Sequence, residues 1–234
     1  MEVNGGLENT PQSPETLSTP KRDFESSALY QAVYNNVEHY MSRHDMSHDF
    51  QHVLRVLALA KHIHTKELDA NPSKKMHRQA IILAALLHDV GDKKYTQPGE
   101  DPEQLISDLL SRNGLPPRFV AKVNLIVQHV SYSNEIKRPQ LVKAILGAHP
   151  ELAIVQDADR LDAIGAIGIG RTFAYGAAKA SDRGLDGSIE HFEEKLEKIE
   201  GMMKTETGKK MAAERTKRLR DFRGWWNEEN ALIS

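Results

Sequence analysis

The feature that most constrains this 234-residue sequence is a run of eight apolar residues, AIILAALL at positions 80–87, that leads directly into His88 and Asp89. A helix made from this run is apolar on every side, so other elements must cover it completely. A histidine and a carboxylate at the end of such a helix are costly to desolvate unless each has a partner. The sequence therefore predicts a central buried helix that ends in a functional site, and a metal ion would suit both side chains.

The rest of the sequence predicts further helices and no strands. No run of four to eight residues alternates apolar and polar positions with β-branched enrichment. Apolar residues at helical intervals predict helices at residues 24–40, 49–68, 74–90, 102–112, 117–129, 138–146, 151–162, 189–203 and 205–227. The small, glycine-rich segment 163–180 is interpreted as a place where helices or a substrate approach closely. The predicted fold class is all-α.

Composition limits the chemistry that is available to the chain. There is no cysteine, so disulfides and thiolate metal sites are excluded, and histidine and carboxylate remain as metal ligands. The net charge of -2 predicts no stable nucleic-acid partner and no attraction to anionic membranes. No segment approaches the roughly 18 consecutive apolar residues of a membrane span. We expect a cytoplasmic or nucleo-cytoplasmic protein that recognises phosphate only locally.

The first 23 residues differ in composition from the rest. They are rich in proline, serine, threonine, asparagine and glycine, with almost no large apolar residues. Such a segment cannot bury enough surface to offset the entropy of ordering. We predict a disordered arm over residues 1–23 and one folded domain over residues 24–234.

Two other segments carry the same kinds of side chain as the central pair. On a helical wheel of the second helix, His48, His52 and Arg55 share one strip, apart from the buried stripe. The segment DADRLD, residues 157–162, places three carboxylates at the edge of another apolar helix. Imidazole and carboxylate groups brought together from separate helices neutralise and coordinate a divalent cation. The three segments together predict one metal site.

Three motifs occur in this order along the chain: HDxxHxxRV, LHDVGDKK and DADRLDAIGAIGIGR. On these motifs, the sequence resembles the HD-domain metal-dependent phosphohydrolases over roughly residues 30–200. The resemblance implies an HD-domain helical bundle. It also implies a divalent ion, whether Mn, Co, Ni, Mg, Fe or Zn, held by four ligands: His52, His88, Asp89 and Asp159. Asp157 and His48 remain alternatives that could replace or supplement a ligand.

The branch that this chain resembles is similar to nucleotide pyrophosphohydrolases. That similarity implies hydrolysis of a nucleoside triphosphate to a monophosphate and pyrophosphate, with monophosphatase activity as the near rival. A metal of this kind acidifies a bound water and polarises a phosphoryl oxygen. The expected partner is a phosphorylated small molecule such as a nucleotide, and the sequence is compatible with a homodimer.

Phosphate chemistry also needs local cations, because negative charge develops during the reaction. Position beside the motifs selects six substrate-binding candidates: Arg55, Lys93, Lys94, Arg160, Arg171 and His48. The catalytic candidates are Asp89, Arg55, Asp92 as a water-orienting acid, and His129 as a leaving-group acid or phosphate partner. The structural alternatives are loop charges for the two lysines, a turn residue for Asp92 and a packed core histidine for His129.

Two other functions are compatible with the sequence. An HD-type di-iron oxygenase would need extra ligands, for which His48, Asp157 and His129 are available. A non-catalytic nucleotide-binding regulatory module would be favoured by loss of a ligand, and the motif lacks none. The basic stretch 204–223 is interpreted as a solvated helical face rather than a nucleic-acid arm.

Overall fold

The computed structural model describes residues 23–42, 49–90, 101–179 and 183–232. Within these residues the chain is helical and contains no strand, so the all-α prediction is confirmed. The α-helices are α1 (Ala28–Met41), α2 (Phe50–Ala70), α3 (Arg78–Leu87), α4 (Pro102–Arg112), α5 (Pro117–Gln128), α6 (Tyr132–Lys137), α7 (Pro139–Ala148), α8 (Glu151–Asp162), α9 (Gly165–Lys179), α10 (Gly184–Glu194) and α11 (Glu206–Asn230). Among the described helices, none combines the length and apolarity needed to cross a membrane.

The central helix is α3, as the apolar run predicts. Every residue from Ala80 to Leu87 is at most 1% exposed. The helix packs against α1, α2, α5 and α8, which cover it on all sides. Truncating a fully buried residue such as Leu83 to alanine costs about 2–5 kcal/mol. This packing fixes the end of α3, where His88 and Asp89 follow.

Helix α2 lies along α8 and brings the first motif to the third. Its start is set by Asp49, whose side chain accepts a hydrogen bond from the backbone N–H of His52 at 3.0 Å. Such a cap satisfies one of the backbone donors that a helix start leaves unpaired. His52 therefore sits in the first turn of α2, with its side chain turned towards α8.

Two buried carboxylates fix the start of the C-terminal helix α11. Asp157 of α8 accepts hydrogen bonds from the backbone N–H groups of Lys204 at 2.9 Å and Thr205 at 2.8 Å. Glu67 of α2 accepts another from the backbone N–H of Thr207 at 2.9 Å. Negative charge at a helix N-terminus also interacts favourably with the helix dipole. From this anchor α11 packs along α2, α8 and α9.

The third helix begins later than predicted. It starts at Arg78 rather than at residue 74, because the backbone N–H of His77 donates to the buried Glu151 at 2.8 Å. The residues before it form a turn in which the Asn71 side chain accepts from the backbone of Ser73. A tertiary hydrogen bond thus replaces the predicted first turn of the helix.

In the second half of the chain, one predicted helix was wrong and two helices were missed. The predicted helix 189–203 is divided, because Lys195 leaves the helical conformation at φ -137°. A 3-10 segment, Leu196–Met202, follows and buries Leu196 and Ile199 at a spacing of three, which suits three residues per turn. The glycine-rich segment forms the helix α9, which the sequence did not predict, and α6 was also missed.

Candidate metal centre

Three side-chain atoms, one each from His52, His88 and Asp89, lie within 4.8 Å of one another, and Asp159 of α8 lies beside both imidazoles. His52 Nε2 lies 3.2 Å from His88 Nε2 and 3.3 Å from Asp89 Oδ2. Asp159 Oδ1 lies 3.6 Å from His52 Nε2 and 3.7 Å from His88 Nε2. The three segments that the sequence singled out therefore meet, and each contributes to the same cluster.

The spacing of these atoms fits a single divalent cation. Ligand atoms about 2.1 Å from an ion lie about 3.0 Å apart at octahedral neighbouring positions and about 3.4 Å apart at tetrahedral ones. The five separations that join an imidazole Nε2 to another candidate ligand atom, 3.2 to 3.7 Å, fall close to this range. Two imidazole nitrogens and two carboxylate oxygens are also a donor set that Mn, Co, Ni, Fe and Zn accept. The residues present thus fit the metal that the motifs imply.

The hydrogen bonds behind the two imidazoles orient their lone pairs towards this point. His88 Nδ1 lies 2.9 Å from the Ala85 carbonyl, which can only accept, so Nδ1 carries the proton. His52 Nδ1 lies 2.7 Å from Asp162 Oδ2, which acts in the same way. Both Nε2 atoms then face each other with lone pairs, an arrangement that a shared cation or a proton relieves.

The pKa of His52 is set by its burial and by the carboxylates around the ring. Burial lowers its pKa, but hydrogen bonds to Asp162 and Asp89 outweigh the desolvation and raise the pKa to about 9. The carboxylates that stabilise a proton on this imidazole also stabilise a metal cation, and the two cations compete for the same nitrogen.

Asp162 is a site residue to which sequence reasoning gave no role. Its carboxylate is 1% exposed and accepts from three side chains: His52, Arg55 and Arg171. Burial raises the pKa of Asp162, but the bonds from His52 and Arg55 outweigh burial and hold it well below its usual range. The signal in the sequence was the third carboxylate of DADRLD, whose role depends on partners 107 and 110 residues away.

The predicted phosphate binders Arg55 and Arg171 lie beside the cluster, bound to that carboxylate. Arg55 donates from Nε at 2.7 Å and from Nη2 at 3.1 Å, and Arg171 donates at 3.0 Å. The side chain of Arg55 remains 33% exposed. The two guanidinium groups therefore add positive charge next to the ligands, while Asp162 fixes their positions.

The structure does not bring Arg160 or His129 to the four ligand atoms. Arg160 is 2% exposed and is bound to Glu135 at 2.6 Å and to the Met202 carbonyl at 3.1 Å. Its guanidinium is thus occupied on another side of α8. The buried His129 directs Nδ1 to the Leu125 carbonyl at 2.8 Å. Within the described residues, no hydrogen bond or ion pair joins either side chain to the cluster.

The alternative ligand Asp157 also points away from the cluster. It is fully buried, and its carboxylate accepts the two backbone bonds at the start of α11 together with the Thr205 hydroxyl at 2.7 Å. Two residues along a helix rotate the side chain by about 200°, which explains the opposite directions of Asp157 and Asp159. Four other predicted residues, His48, Asp92, Lys93 and Lys94, lie outside the described residues.

The comparisons with known proteins agree with this arrangement. Residues 49–164 match the HD domain family, a range that contains all four converging residues. The chain is 34% identical over 183 residues to the uncharacterized protein YpgQ of Bacillus subtilis. The aligned region covers 76% of this chain and 82% of YpgQ. The chain belongs to the HD superfamily. The doublet for which that superfamily is named is His88-Asp89, at the end of the buried helix α3.

Solved structures resemble this chain over most of its length. YpgQ in complex with ADP superposes with a TM-score of 0.66 at 26% identity, covering 84% of this chain and 97% of that one. An HD-superfamily hydrolase from Bacillus thuringiensis gives a TM-score of 0.63 at 30% identity, covering 85% and 95% of the two chains. The predicted HD-domain bundle is confirmed, and the likeness extends well beyond residues 49–164.

Proposed function

We propose that this HD-superfamily protein is a divalent-metal-dependent phosphohydrolase that acts on a nucleotide. The observation that carries the proposal is that two imidazole nitrogens lie 3.2 Å apart, with carboxylate oxygens of Asp89 and Asp159 at 3.3 to 3.7 Å from them. His52, His88, Asp89 and Asp159 would hold the ion. When bound, the ion would acidify a water molecule and polarise a phosphoryl oxygen.

The residues around the four ligands suit a phosphorylated substrate. The guanidinium groups of Arg55 and Arg171 place positive charge beside the site, although the chain as a whole carries a net charge of -2. Fixed positive groups stabilise the charge that develops on a reacting phosphate. Asp92, Lys93, Lys94 and His48 remain proposed from the sequence, as a water-orienting acid and as phosphate contacts.

The nucleotide assignment has two supports. One is the motif resemblance, which implies release of pyrophosphate from a nucleoside triphosphate, with monophosphatase activity as the rival. The other is that the related YpgQ has been crystallised with ADP. Manganese is our first candidate among the divalent ions, because Mn²⁺ suits carboxylate donors such as Asp89 and Asp159; the two imidazoles also suit Fe, Ni and Zn.

The di-iron oxygenase alternative would need ligands for a second ion. Of its three candidate ligands, Asp157 holds the start of α11 instead, and within the described residues no hydrogen bond or ion pair joins His129 to the four side chains. The regulatory alternative would be favoured by a missing ligand, and the sequence motifs lack none. Both considerations favour the proposed hydrolase over these two alternatives.

The test is to incubate the full-length protein with Mn²⁺, Co²⁺ or Mg²⁺ and a panel of nucleoside mono-, di- and triphosphates. We expect pyrophosphate from triphosphates, separated and identified by chromatography. Asp89→Ala should abolish both metal content and turnover, while the exposed control Asp69→Ala should retain both. Full activity in Asp89→Ala would contradict the proposal, and two irons per chain with oxygen uptake would support the oxygenase.

A further inference from the structure

A cavity of about 270 Å³ lies next to the metal centre, where α2, α9 and α11 meet. Its lining consists of two arginines, one carboxylate and three aliphatic side chains: Arg55, Arg215, Asp162, Ala58, Leu59 and Ile167. Arg55 and Asp162 also belong to the surroundings of the metal ligands. The cavity therefore lies beside the candidate active site, on the side of His52 where Nδ1 meets Asp162.

The position of the cavity along α2 sets its distance from the ligands. His52, Arg55 and Leu59 follow one another along the same side of the helix, at a rise of about 1.5 Å per residue. The lining residues thus lie about 5 to 10 Å along the helix axis from His52. A nucleotide that presents a phosphate at the ligands extends its sugar and base over a comparable distance.

The chemistry of the walls suits a flat ring with polar edges. Ala58, Leu59 and Ile167 offer aliphatic contacts, and Ile167 is 46% exposed, which leaves it accessible to a ligand. A guanidinium stacks on aromatic rings and donates several hydrogen bonds in one plane. Small-molecule sites combine apolar walls with a few fixed polar groups in this way. A pocket for phosphate alone would have little use for three aliphatic walls.

Arg215 is held in the cavity wall by two contacts. Its Nη1 donates to the carbonyl of Leu161 at the end of α8. Its aliphatic stem packs on Gly165, where an added Cβ would lie 3.0 Å from the Arg215 Cγ and where φ is +76°. Within the described residues, no other hydrogen bond of the Arg215 guanidinium is found, so Nε and Nη2 remain for a ligand.

We propose that this cavity binds the base and sugar of the nucleotide substrate and that Arg215, from the C-terminal helix, is a specificity-determining residue. The inference rests on the proposed function, because it places the nucleoside relative to a phosphate at the metal ligands. Arg215 then distinguishes a nucleoside triphosphate from inorganic tripolyphosphate, which has the same phosphate chain and no nucleoside.

The test compares these two compounds in four proteins: wild type, Arg215→Ala, Ile167→Glu and Arg218→Ala. Arg218 is the matched control, an exposed arginine one turn along the same helix. We expect kcat/KM for the nucleoside triphosphate to fall on the order of 10- to 100-fold in Arg215→Ala, mainly through KM, because charged hydrogen bonds are lost. Ile167→Glu should act in the same direction, since it places a carboxylate on the exposed wall of the cavity.

The inference requires that hydrolysis of tripolyphosphate changes little in Arg215→Ala and that Arg218→Ala resembles wild type with both compounds. An equal loss with both compounds in Arg215→Ala, or no loss with either, would overturn it. Thermal unfolding of each variant checks that the fold is retained, and Ile167→Glu keeps the test valid if Arg215→Ala does not fold.

The proposed function can fail separately. If wild type hydrolyses no phosphate compound, the proposed function is overturned, and equilibrium binding of ADP to the full-length protein with Mn²⁺ then decides the role of the cavity. ADP affinity that falls in Arg215→Ala and Ile167→Glu but not in Arg218→Ala supports the cavity as the nucleoside site. Equal ADP affinity in all four proteins overturns it.

Discussion

Helix α8 carries carboxylates on two faces that serve different purposes. On one face, Asp159 is directed at two imidazoles and keeps a side-chain exposure of 26%. On the other face, Asp157 is fully buried against the backbone at the start of α11. The two residues have the same side chain and are separated by a single alanine. What differs is the partner: backbone N–H groups for Asp157, and the imidazoles of His52 and His88 for Asp159.

The comparison shows how a carboxylate becomes a ligand or an anchor. Backbone donors are fixed in place, so Asp157 is fully satisfied and cannot reach a substrate. Burial raises the pKa of Asp157, whereas the hydrogen bonds from Thr205 and Lys204 act in the opposite direction. The imidazoles facing Asp159 leave room for an ion, and its exposure leaves access for water. The side of α8 that carries Asp159, here called the ligand face, is thus open to solvent. The side that carries Asp157, here called the anchor face, is closed.

The largest expected difference between the two faces is in the free energy of unfolding. Asp157→Ala leaves the backbone N–H groups of Lys204 and Thr205 without their acceptor, so we expect a loss of about 2–4 kcal/mol in the free energy of unfolding. Asp159→Ala, measured without metal, should cost less than about 1 kcal/mol, because its side chain is partly exposed. Urea denaturation measures both. Equal losses would mean that the two faces of α8 do not differ.

A smaller effect is expected at the residue behind the ligands. Asp162→Asn keeps the shape of the side chain but removes the charge that fixes the proton on His52 Nδ1. Losing such an outer partner typically lowers metal affinity by about 10–100-fold. Isothermal titration with Mn²⁺ measures the change. Asp162→Asn with the affinity of wild type would show that the 2.7 Å bond does not orient the imidazole.

The pH dependence should separate the two faces further. The pKa of His52 is raised from 6.5 to about 9 in the folded protein. Its contribution to the stability of the metal-free protein is therefore complete below pH 6.5 and is lost as the pH rises through about 9. Metal affinity should change in the opposite direction, rising by up to about tenfold per pH unit over this window, because the metal displaces the proton.

Unfolding and Mn²⁺ titrations between pH 6 and pH 10 measure both trends. Asp162→Asn should weaken the pH dependence of both stability and metal affinity, because it removes a partner that raises the pKa of His52. Asp157→Asn, on the anchor face, should leave both dependences unchanged. If stability and metal affinity of wild type did not change with pH, this would contradict the raised pKa of His52.

The smallest effect is expected where α11 meets the end of α8. Gly165 has a positive φ and touches the stem of Arg215, so Gly165→Ala should cost about 1–2 kcal/mol and displace that arginine. Gly170→Ala is the matched control, because an added Cβ there meets nothing within 4 Å. Thermal unfolding compares the two. Gly170→Ala should keep or raise the stability, since alanine favours the helix more than glycine. An equal loss in both variants would contradict the contact with Arg215 as the cause.

The sequence predicted the ligand face better than the anchor face. His52, His88, Asp89 and Asp159 belong to short motifs with fixed spacing, and the structure brings all four together. The motifs could not separate Asp159 from Asp157, because that choice depends on where α11 starts, about 47 residues later. Local patterns cannot encode a contact made at that distance along the chain.

The same reason explains the other residues that were missed. Asp162 and Arg215 act through partners more than 50 residues away, and Arg215 lies in a basic stretch that was interpreted as a solvated face. Most of that stretch does meet acidic side chains at the surface, as Lys217 does with Asp221. Helix α9 was missed because its glycines weaken local helix propensity, whereas packing against α10 and α11 stabilises it.

The central claim is that the open face of α8 holds a metal ion and the closed face does not. The most direct measurement is a Mn²⁺ titration, with calorimetry as the readout, of wild type, Asp159→Asn and Asp157→Asn at the same pH. We predict one ion per chain in wild type and in Asp157→Asn with similar affinity, and an affinity at least about tenfold lower in Asp159→Asn. Wild-type affinity in Asp159→Asn, or an equal loss in both variants, would contradict the claim.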